Sequence, residues 1–396
     1  MEIFRDVPQV LWIRVGALGD LLISTAALEE TFKRFPHSKV WVLGDRFWLE
    51  LLEPAQWPRL NGIIIRKKNN RGQLYVPASQ KGWRREGDAR SLGYFYRRTQ
   101  ATVNLRIESY RFAWGPWRAR VPIRIGSCPW PMKWLYTHWS PGLGKEPALH
   151  ERDWYVNVVR APKRSWFPLG RLEENRSKFA TATDRPRGGL PRLKEADPST
   201  IARLTLPKAQ SASTRAPLKE PVSFKNYWLI NPTSSRIEKA WPAIKFREFA
   251  LQLAERLRET GQKVVVIGAP NETEWLKKVA GEELPIVQPP TLGELIDVVA
   301  GANILVTNTS SVQFIAASTK TPTITLMGRS SPVRWGPVGP QDIVVKGKIP
   351  EGGHPDLFVE ERLAYESISV EQVLRECEKF VKVSNPETAV ETNFKP

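Results

Sequence analysis

The sequence predicts an α/β protein with two doubly wound domains that face each other across a cleft. Three observations support this fold class: short apolar runs alternate with amphipathic stretches over residues 9–162, the alternation fades over 163–220, and it returns from residue 227. Strands that alternate with helices at short spacing are typical of parallel sheets covered on both faces. The predicted parts are an N-terminal domain, a basic linker or surface excursion, a C-terminal domain, and a helix end with a tail, at residues 1–162, 163–220, 221–375 and 376–396.

The first half opens with a strand, a helix and a second strand. The run VLWIR at residues 10–14 predicts a buried strand, residues 21–35 predict an amphipathic helix, and KVWVL at residues 39–43 predicts the next strand. A turn with two glycines and an aspartate separates the first strand from the helix. This order predicts a parallel strand–helix–strand unit.

The second half repeats the pattern more clearly. Four apolar runs predict strands, at residues 227–230, 263–267, 304–307 and 323–326. A stripe of helical period predicts a helix after the first strand, through Phe246, Phe249, Ala250, Leu253 and Leu257. Thr291 with Glu294 resembles a capping box that opens a helix ending at Gly301, and a further helix is expected at 311–319. Ligands bind at the carboxyl ends of parallel strands, so the functional residues are expected in the turns that follow the strands.

Composition excludes several classes of protein. No apolar run approaches the roughly 18 to 20 residues that a membrane-spanning helix needs. The N-terminus lacks the basic and apolar regions of a secretion signal, and Cys128 and Cys377 have no partner at metal-ligand spacing. We therefore expect a cytoplasmic protein with neither a disulfide framework nor a zinc site.

The net charge of +18 is concentrated in residues 66–124 and 160–220. Basic fields of this kind attract phosphate-rich partners such as nucleic acid, anionic lipid headgroups or phosphorylated glycans. Two solvated basic loops are the alternative. Nucleic acid is suggested by charge alone, because no helix-turn-helix, zinc-finger or RNA-recognition signature is present, and we do not predict it as a partner.

The turn after the first predicted strand contains Gly16, Gly19 and Asp20. The glycines allow the backbone to approach a ligand closely. The Asp20 carboxylate at a helix start can act as a general base if a substrate hydroxyl comes within about 3 Å. The alternative is that Asp20 only caps the helix.

Three turns of the second half carry polar groups suited to a nucleotide. Hydroxyls and a cation at Ser234, Ser235 and Lys239 suit a diphosphate, although this segment can also be a surface loop anchored by a buried Trp241. Glu272 can accept hydrogen bonds from a ribose, or it is an exposed glutamate favoured by the helix dipole. A third turn offers hydroxyls and backbone amides at a helix N-terminus, an anion site formed by Thr309, Ser310 and Ser311.

The ordered set of these turns resembles glycosyltransferase family 9, the ADP-heptose:lipopolysaccharide heptosyltransferases. The resemblance rests on five segments in the family's order, IRVGALGDLLIST (13–25), KAWP (239–242), GAPNE (268–272), TNTSS through TP (307–322) and LMG to WGP (326–337). It implies the GT-B architecture of two Rossmann-like domains. It also implies an inverting, metal-independent transfer of heptose or a related sugar from a nucleotide donor, with no cofactor beyond that donor, which is expected to be ADP-heptose or a related ADP-sugar.

The resemblance also implies roles for individual residues. Asp20 matches the catalytic aspartate that takes the proton of the acceptor hydroxyl. Lys239 matches the lysine that stabilises the departing diphosphate, with Ser234 and Ser235 beside it. Glu272 matches the glutamate that binds the nucleotide ribose.

Two positions depart from the family pattern. Where the family has an aspartate and a histidine around the fourth turn, this chain has Thr309 and Phe314. A lost carboxylate would weaken recognition of the donor sugar. The alternative function is therefore a catalytically silent relative that acts as a glycan-binding or scaffold protein.

The acceptor is expected at the basic region of the first domain. Aromatic residues are interleaved there with arginines and lysines, and the candidate acceptor-binding residues are Arg66, Lys67, Lys68, Arg84, Arg85, Arg97 and Arg98. Arginine pairs with phosphate and carboxylate, whereas aromatic rings stack on sugars or lie at a membrane interface. These features predict an acidic lipopolysaccharide-type glycolipid or glycan acceptor at an anionic membrane surface, reached peripherally from the cytoplasmic face.

Overall fold

The computed structural model describes residues 1–78, 82–106, 110–128, 132–140, 149–163, 226–339 and 341–381. The predicted linker at 163–220 lies outside the described residues except for residue 163, and the predicted tail lies outside them after residue 381. The domain boundaries and the basic excursion therefore stay predictions.

The N-terminal half forms a mixed sheet. Its strands are β1 (Gln9–Arg14), β2 (Lys39–Gly44), β3 (Leu60–Lys67), β4 (Arg71–Pro77), β5 (Trp83–Ser91), β6 (Ala101–Asn104), β7 (Ile123–Gly126) and β8 (His138–Trp139). Within the described residues their order is β5-β4-β3-β2-β1-β6-β7-β8. Strand β1 pairs in parallel with β2 on one side and β6 on the other. The winding reverses at β1, and the carboxyl end of this strand borders the crevice where doubly wound sheets bind ligands.

Helices cover both faces of this sheet. They are α1 (Leu18–Arg34), α2 (Trp48–Leu51), α3 (Leu92–Tyr96), α4 (Arg111–Arg118) and α5 (Glu151–Val159). Successive side chains of β1 point to opposite faces: Val10 and Trp12 join the core under α1 and α5, whereas Leu11 and Ile13 join the core under α3 and α4. A strand buried on both faces must be continuously apolar, which explains the run at the start of the chain.

The sheet edge formed by β4 and β5 was not predicted. Both strands run antiparallel to their neighbours. The turn between β3 and β4 contains Asn69 and Asn70 with φ of 58° and 55°. Asparagine tolerates this left-handed backbone better than most residues, so the Asn-Asn pair is the sequence signal for the hairpin.

The C-terminal half forms a parallel sheet. Its strands are β9 (Tyr227–Asn231), β10 (Lys263–Ile267), β11 (Ile286–Val287), β12 (Ile304–Asn308), β13 (Thr323–Met327) and β14 (Ile343–Lys346), in the order β11-β10-β9-β12-β13-β14 over the described residues. Its helices are α6 (Ala243–Leu257), α7 (Thr273–Ala280), α8 (Leu292–Ala300), α9 (Ser311–Thr319), α10 (Pro332–Trp335), α11 (Leu357–Glu366) and α12 (Val370–Val381). The predicted fold class is confirmed. None of the helices in the described ranges is long and apolar enough to cross a membrane.

Local signals placed the second-half helices correctly. The side chain of Thr291 accepts a hydrogen bond from the Glu294 amide at 3.2 Å, and α8 ends at Gly301 as predicted. Helix α9 begins at Ser311 and ends at Thr319, as its pattern predicted. Capping thus fixes the helix that follows β11, one wall of the space between the two sheets.

The two halves are joined by packing and by polar contacts. Helix α1 packs against α9, and one apolar cluster runs through both domains. Glu151 at the start of α5 forms an ion pair of 2.7 Å with Arg334 of α10. The Nε2 atom of His150 lies 3.1 Å from the carbonyl oxygen of Gly336. Helix starts from both domains therefore meet at one boundary.

Gly44 gives a stability test of the N-terminal sheet. A Cβ atom there would lie 2.3 Å from the Trp48 indole and 2.4 Å from the Arg14 carbonyl oxygen. We expect Gly44→Ala to lower the free energy of unfolding by about 3 kcal/mol because backbone must move to relieve the overlap. The control is Gly93→Ala, whose new Cβ would meet only flexible side-chain ends, at 3.4 Å or more. Urea unfolding compares the two, and equal midpoints would contradict the packing described here.

Candidate active site

A cleft of about 620 Å³ lies between the two sheets, where the turns after β1, β9, β10 and β12 converge. All four turns singled out from the sequence contribute to its lining. The predicted residues that line it are Gly19, Asp20, Ser234, Ser235, Lys239, Glu272, Thr309, Ser310 and Ser311. Gly16 lies just behind this lining. The cleft is therefore the candidate active site.

The Asp20 carboxylate projects from the first turn of α1 into the cleft. Helix α1 begins at Leu18 and its N-cap is Ala17, so Asp20 is not the residue that caps this helix. Its side chain is 24% exposed and forms an ion pair of 3.2 Å with Arg14. The carboxylate is thus held from behind and remains open to the cleft.

Arg14 is a buried positioning residue for that carboxylate. It is 3% exposed, donates a hydrogen bond of 2.6 Å to the Tyr155 hydroxyl, and lies over the Tyr155 ring. Burial raises the pKa of Tyr155 well above its ordinary value. The tyrosine therefore stays a neutral partner that fixes the guanidinium.

The two glycines of the first turn are required for different reasons. Gly16 has φ of +151°, a backbone that favours glycine, and its amide donates to Asp45 at 2.8 Å. A Cβ on Gly19 would lie 3.3 Å from the Phe314 ring and 3.4 Å from the Ser311 Cα. Gly19 therefore permits close approach of the two domains, whereas its approach to a ligand stays a prediction.

The second turn places a cation and hydroxyls on the opposite wall. A short 3-10 turn, Ile237–Lys239, brings Lys239 to the cleft with Ser234 and Ser235. The Trp241 side chain is completely buried and donates from Nε1 to the Ile368 carbonyl at 3.0 Å. The turn is thus both anchored by a buried tryptophan and part of the cleft wall.

A buried carboxyl lies close to Lys239. Burial raises the pKa of Glu361 on α11, against the charges of Lys239, Lys346 and Arg329, which lower it. Three cations therefore lie near the Glu361 carboxyl group and favour its charged form.

The third turn directs Glu272 into the cleft. One of its carboxylate oxygens accepts a hydrogen bond of 2.7 Å from the Ala269 amide, which closes the turn before α7. The residue is half-buried and lines the cleft. It therefore performs the local role expected of a first-turn glutamate while facing the space where a ligand would lie.

The fourth turn forms the start of α9. Ser310 is its N-cap, accepting from the Val312 amide at 3.3 Å. The Asn231 side chain donates to Ser310 at 3.1 Å and to Thr307 at 3.0 Å, which ties this turn to β9. Apart from the capped Val312 amide, the first-turn amides of α9 have no acceptor within the helix, and they form an electropositive helix end of the kind that binds anions.

The two departures from the family pattern have clear structural settings. Thr309 donates from its hydroxyl to the Leu326 carbonyl at 3.2 Å and accepts from Tyr365 at 3.3 Å. The Phe314 ring is 4% exposed, packs against Gly19 and lies 6.2 Å from the His150 ring, centroid to centroid. A neutral hydroxyl and an apolar ring therefore occupy this side of the cleft.

His150, to which the sequence gave no role, stabilises the domain boundary. Its Nδ1 accepts from the Arg152 amide at 3.1 Å, so its Nε2 carries the proton shared with the Gly336 carbonyl. Burial lowers the pKa of His150 to about 4. The ring is therefore neutral at physiological pH and acts as a structural link.

A second, larger cleft of about 1220 Å³ lies in the N-terminal domain, and we call it the cationic cleft. Of the predicted acceptor-binding residues, Arg66, Lys67, Lys68 and Arg97 line it. Arg84 and Arg85 lie on β5 outside the lining, and Arg98 stacks over the Tyr94 ring at 3.7 Å. The fold thus collects four of the seven cations in one place.

Sequence reasoning missed several lining residues. The cationic cleft gains three more arginines from α4 and the turn after it, Arg111, Arg118 and Arg120. The cleft between the sheets has an apolar wall formed by Ile267, Pro289, Pro290, Leu292 and Leu295. The Pro-Pro pair before the Thr291 cap was the available signal for this wall, because it marks a turn at a strand end.

The two sheets and the cleft between them have the GT-B architecture of glycosyltransferases. Among solved structures, the chain is similar to E. coli ADP-heptose lps heptosyltransferase II (20% identity, TM-score 0.61, covering 95% of this chain and 99% of that one). It is also similar to a glycosyl transferase family 9 protein from Veillonella parvula, with 20% identity and a TM-score of 0.60, over 95% of this chain and 97% of that one. The similarity to E. coli heptosyltransferase WaaC with ADP has 15% identity and a TM-score of 0.57, over 94% of this chain and 99% of that one.

One family matches part of the sequence. A family model described as glycosyltransferase family 9 (heptosyltransferase) matches residues 173–357. No curated protein matches the chain. The resemblance indicated by the five ordered segments is confirmed.

Asn308 links the second turn to the sheet and gives a test of the site's framework. Its completely buried amide donates to the Pro232 carbonyl at 2.9 Å and accepts from the Trp241 amide at 2.9 Å. We expect Asn308→Ala to cost about 3 kcal/mol of unfolding free energy because two buried backbone groups lose their partners. Asn303→Ala removes an exposed amide whose partner is Gln262, and should cost less than about 0.5 kcal/mol. Equal losses in denaturant unfolding would refute the framework role.

Proposed function

We propose that this protein is an inverting, metal-independent glycosyltransferase that moves heptose or a related sugar from an ADP-linked donor to an acidic lipopolysaccharide-type glycolipid or cell-surface glycan. The observation that carries the proposal is that Asp20 and Lys239 line one cleft from opposite domains. A base for the acceptor and a cation for the leaving group must both reach the reacting centre, and the position of these two residues on facing walls of one cleft supports their assignment to these roles.

The C-terminal wall suits a nucleoside diphosphate. Lys239, the hydroxyls of Ser234 and Ser235, and the first-turn amides of α9 supply charge and donors for the two phosphates. Glu272 has a second carboxylate oxygen to accept from ribose hydroxyls. The apolar wall at Pro289 and its neighbours offers a surface for the flat base.

The proposed reaction is a single displacement. The acceptor hydroxyl oxygen forms a bond to the anomeric carbon as the bond from that carbon to the phosphate oxygen breaks. The Asp20 carboxylate takes the hydroxyl proton, and the diphosphate leaves with the bonding electrons, stabilised by Lys239. Attack opposite to the leaving group inverts the anomeric centre. No metal or further cofactor is part of the proposal, as the resemblance implies.

The cationic cleft is the proposed acceptor-binding surface. Its lysines and arginines suit the phosphate and carboxylate groups of an acidic glycolipid. Within the described residues, Asp45 is the only carboxylate within 4.0 Å of a cation of this cleft, at 3.6 Å from Arg66. Most of the positive charge is therefore available to a ligand. The proposed location is the cytoplasmic face of the membrane, with peripheral attachment.

A second candidate function is favoured by Thr309 and Phe314. The Thr309 hydroxyl is already hydrogen-bonded to Leu326 and Tyr365, and the Phe314 ring is apolar. Neither side chain therefore offers a free hydrogen-bonding group to the hydroxyls of a donor sugar. A catalytically silent relative would bind a glycan without turnover. The two functions differ in whether Asp20 matters.

The Asp20 carboxylate is tested by Asp20→Asn. We expect sugar transfer to fall by at least about a thousandfold while ADP affinity changes less than threefold, because the amide cannot accept the proton. Asp88→Asn is the control, since the Asp88 side chain is fully exposed on β5. Transfer is measured with a truncated lipopolysaccharide acceptor, and ADP binding by calorimetry. Undiminished transfer by Asp20→Asn would refute the catalytic assignment, and donor binding without transfer by the unaltered protein would favour the silent relative.

The donor is tested by calorimetric titration with ADP, UDP, GDP and their sugar forms in the presence of a chelator. We expect ADP forms to bind most tightly. Lys239→Met should weaken ADP binding by about tenfold or more and leave adenosine binding unchanged, because the lysine contacts only the diphosphate. Lys277→Met, at a lysine whose side chain is 63% exposed on α7, is the control. Preference for another nucleotide, or equal losses for adenosine and ADP, would contradict the proposed donor site.

A further inference from the structure

Three tryptophans form an exposed cluster on the N-terminal domain, which we call the tryptophan triad. Trp114 and Trp117 come from α4, and Trp134 from the short 3-10 helix Met132–Leu135. Their ring centroids lie 4.7, 5.2 and 6.1 Å apart in pairs. The three residues are 42%, 37% and 42% exposed. The triad is thus a continuous apolar patch with three indole rings.

None of these three rings belongs to the buried core clusters of the domain. Helix α4 buries Phe112, Ala113 and Pro116, and its spacing places Trp114 and Trp117 together on the other face. That exposed face is supported by Trp134 alone among the described aromatic neighbours. Clusters of exposed tryptophans are unusual on protein surfaces in contact with water, and such apolar patches mark sites that bind a protein, a ligand or a membrane.

The triad borders the cationic cleft. Trp114 belongs to the triad and also lines the cationic cleft. Arg111 and Arg118, at the two ends of α4, line the cleft as well. No carboxylate of the described residues lies within 4.0 Å of either arginine. Over the described residues, one surface therefore joins amphipathic indoles to arginines that no carboxylate pairs.

We propose that the tryptophan triad is an interfacial anchor that docks the N-terminal domain onto an anionic lipid bilayer. Indole rings favour the headgroup region, and nearby arginines favour anionic phosphates, so the charge and the chemistry of the patch fit this occupant. When the N-terminal domain is docked in this way, the cationic cleft lies beside the lipid headgroups. An acidic head of a lipid-linked acceptor can enter the cleft while its acyl chains stay in the bilayer.

This inference rests on the proposed function for the nature of the acceptor, but it is tested without turnover. The probe is co-sedimentation with vesicles of phosphatidylglycerol and phosphatidylcholine, compared with phosphatidylcholine alone, at about 0.15 M salt. We expect binding only to the anionic vesicles. The double variant Trp117→Ser with Trp134→Ser should bind at least about tenfold more weakly because it loses two interfacial rings. Phe358→Ser removes an aromatic residue that is 54% exposed on the C-terminal domain, and should bind like the unaltered protein.

A second measurement gives a result on the unaltered protein that does not depend on how the variants fold. Vesicles with brominated acyl chains quench tryptophans that enter the interface, so part of the emission of the unaltered protein should be lost on binding. The double variant should lose a smaller part, and its ADP affinity should equal that of the unaltered protein. The anchor would be overturned if the unaltered protein did not bind anionic vesicles or showed no quenching on binding. It would also be overturned if the double variant and Phe358→Ser lost vesicle affinity to the same extent. The two proposals fail separately: vesicle binding without sugar transfer contradicts only the proposed function, whereas transfer to a soluble acceptor without vesicle binding contradicts only the anchor.

Discussion

The architecture depends on the contact between the first turns of α1 and α9. A Cβ on Gly19 would lie only 3.3 to 3.4 Å from Phe314 and the Ser311 backbone, so the domains meet with almost no space between them. The same turn of α1 carries Asp20, and the same turn of α9 carries the amides that face the cleft. Packing at one point therefore sets the separation between the carboxylate of one domain and the helix start of the other.

The charged side chains near this contact are supported by buried residues behind them. Behind Asp20 lies Arg14, buried and fixed by Tyr155, so the carboxylate is oriented without losing its access to the cleft. On the facing wall, Lys239 is carried by a turn that Asn308 attaches to β12 and that Trp241 attaches to the loop between α11 and α12. Asp20 and the turn of Lys239 are thus both held by buried residues. This rigidity suits a reaction in which groups must be placed before substrate arrives.

Local sequence signals predicted the elements that local physics determines. Apolar runs identified β1 and the central strands because burial on both faces demands them, and Thr291 identified the start of α8 because its hydroxyl satisfies a free amide. The turns after the strands were found because parallel strands present them at one edge. These signals were enough to locate the polar residues that the four turns contribute to the cleft between the sheets, but not its apolar wall.

Tertiary pairing explains what the sequence did not reveal. Arg84 and Arg85 were grouped with the other cations by proximity in sequence, but the antiparallel pairing of β5 with β4 places them outside the cationic cleft. Arg111 and Arg118 enter it because α4 packs across the sheet, a relation that no local pattern contains.

Phe314 shows how packing and chemistry are linked in this chain. Its ring fills the space between Gly19 and His150, and His150 in turn bonds across the boundary to Gly336. The position that carries a histidine in the family therefore contributes here to domain packing. An apolar ring strengthens that contact but offers nothing to a sugar hydroxyl. In the proposed function, donor recognition therefore depends more on the diphosphate and nucleotide, assigned to Lys239, the α9 amides and Glu272, than on the sugar.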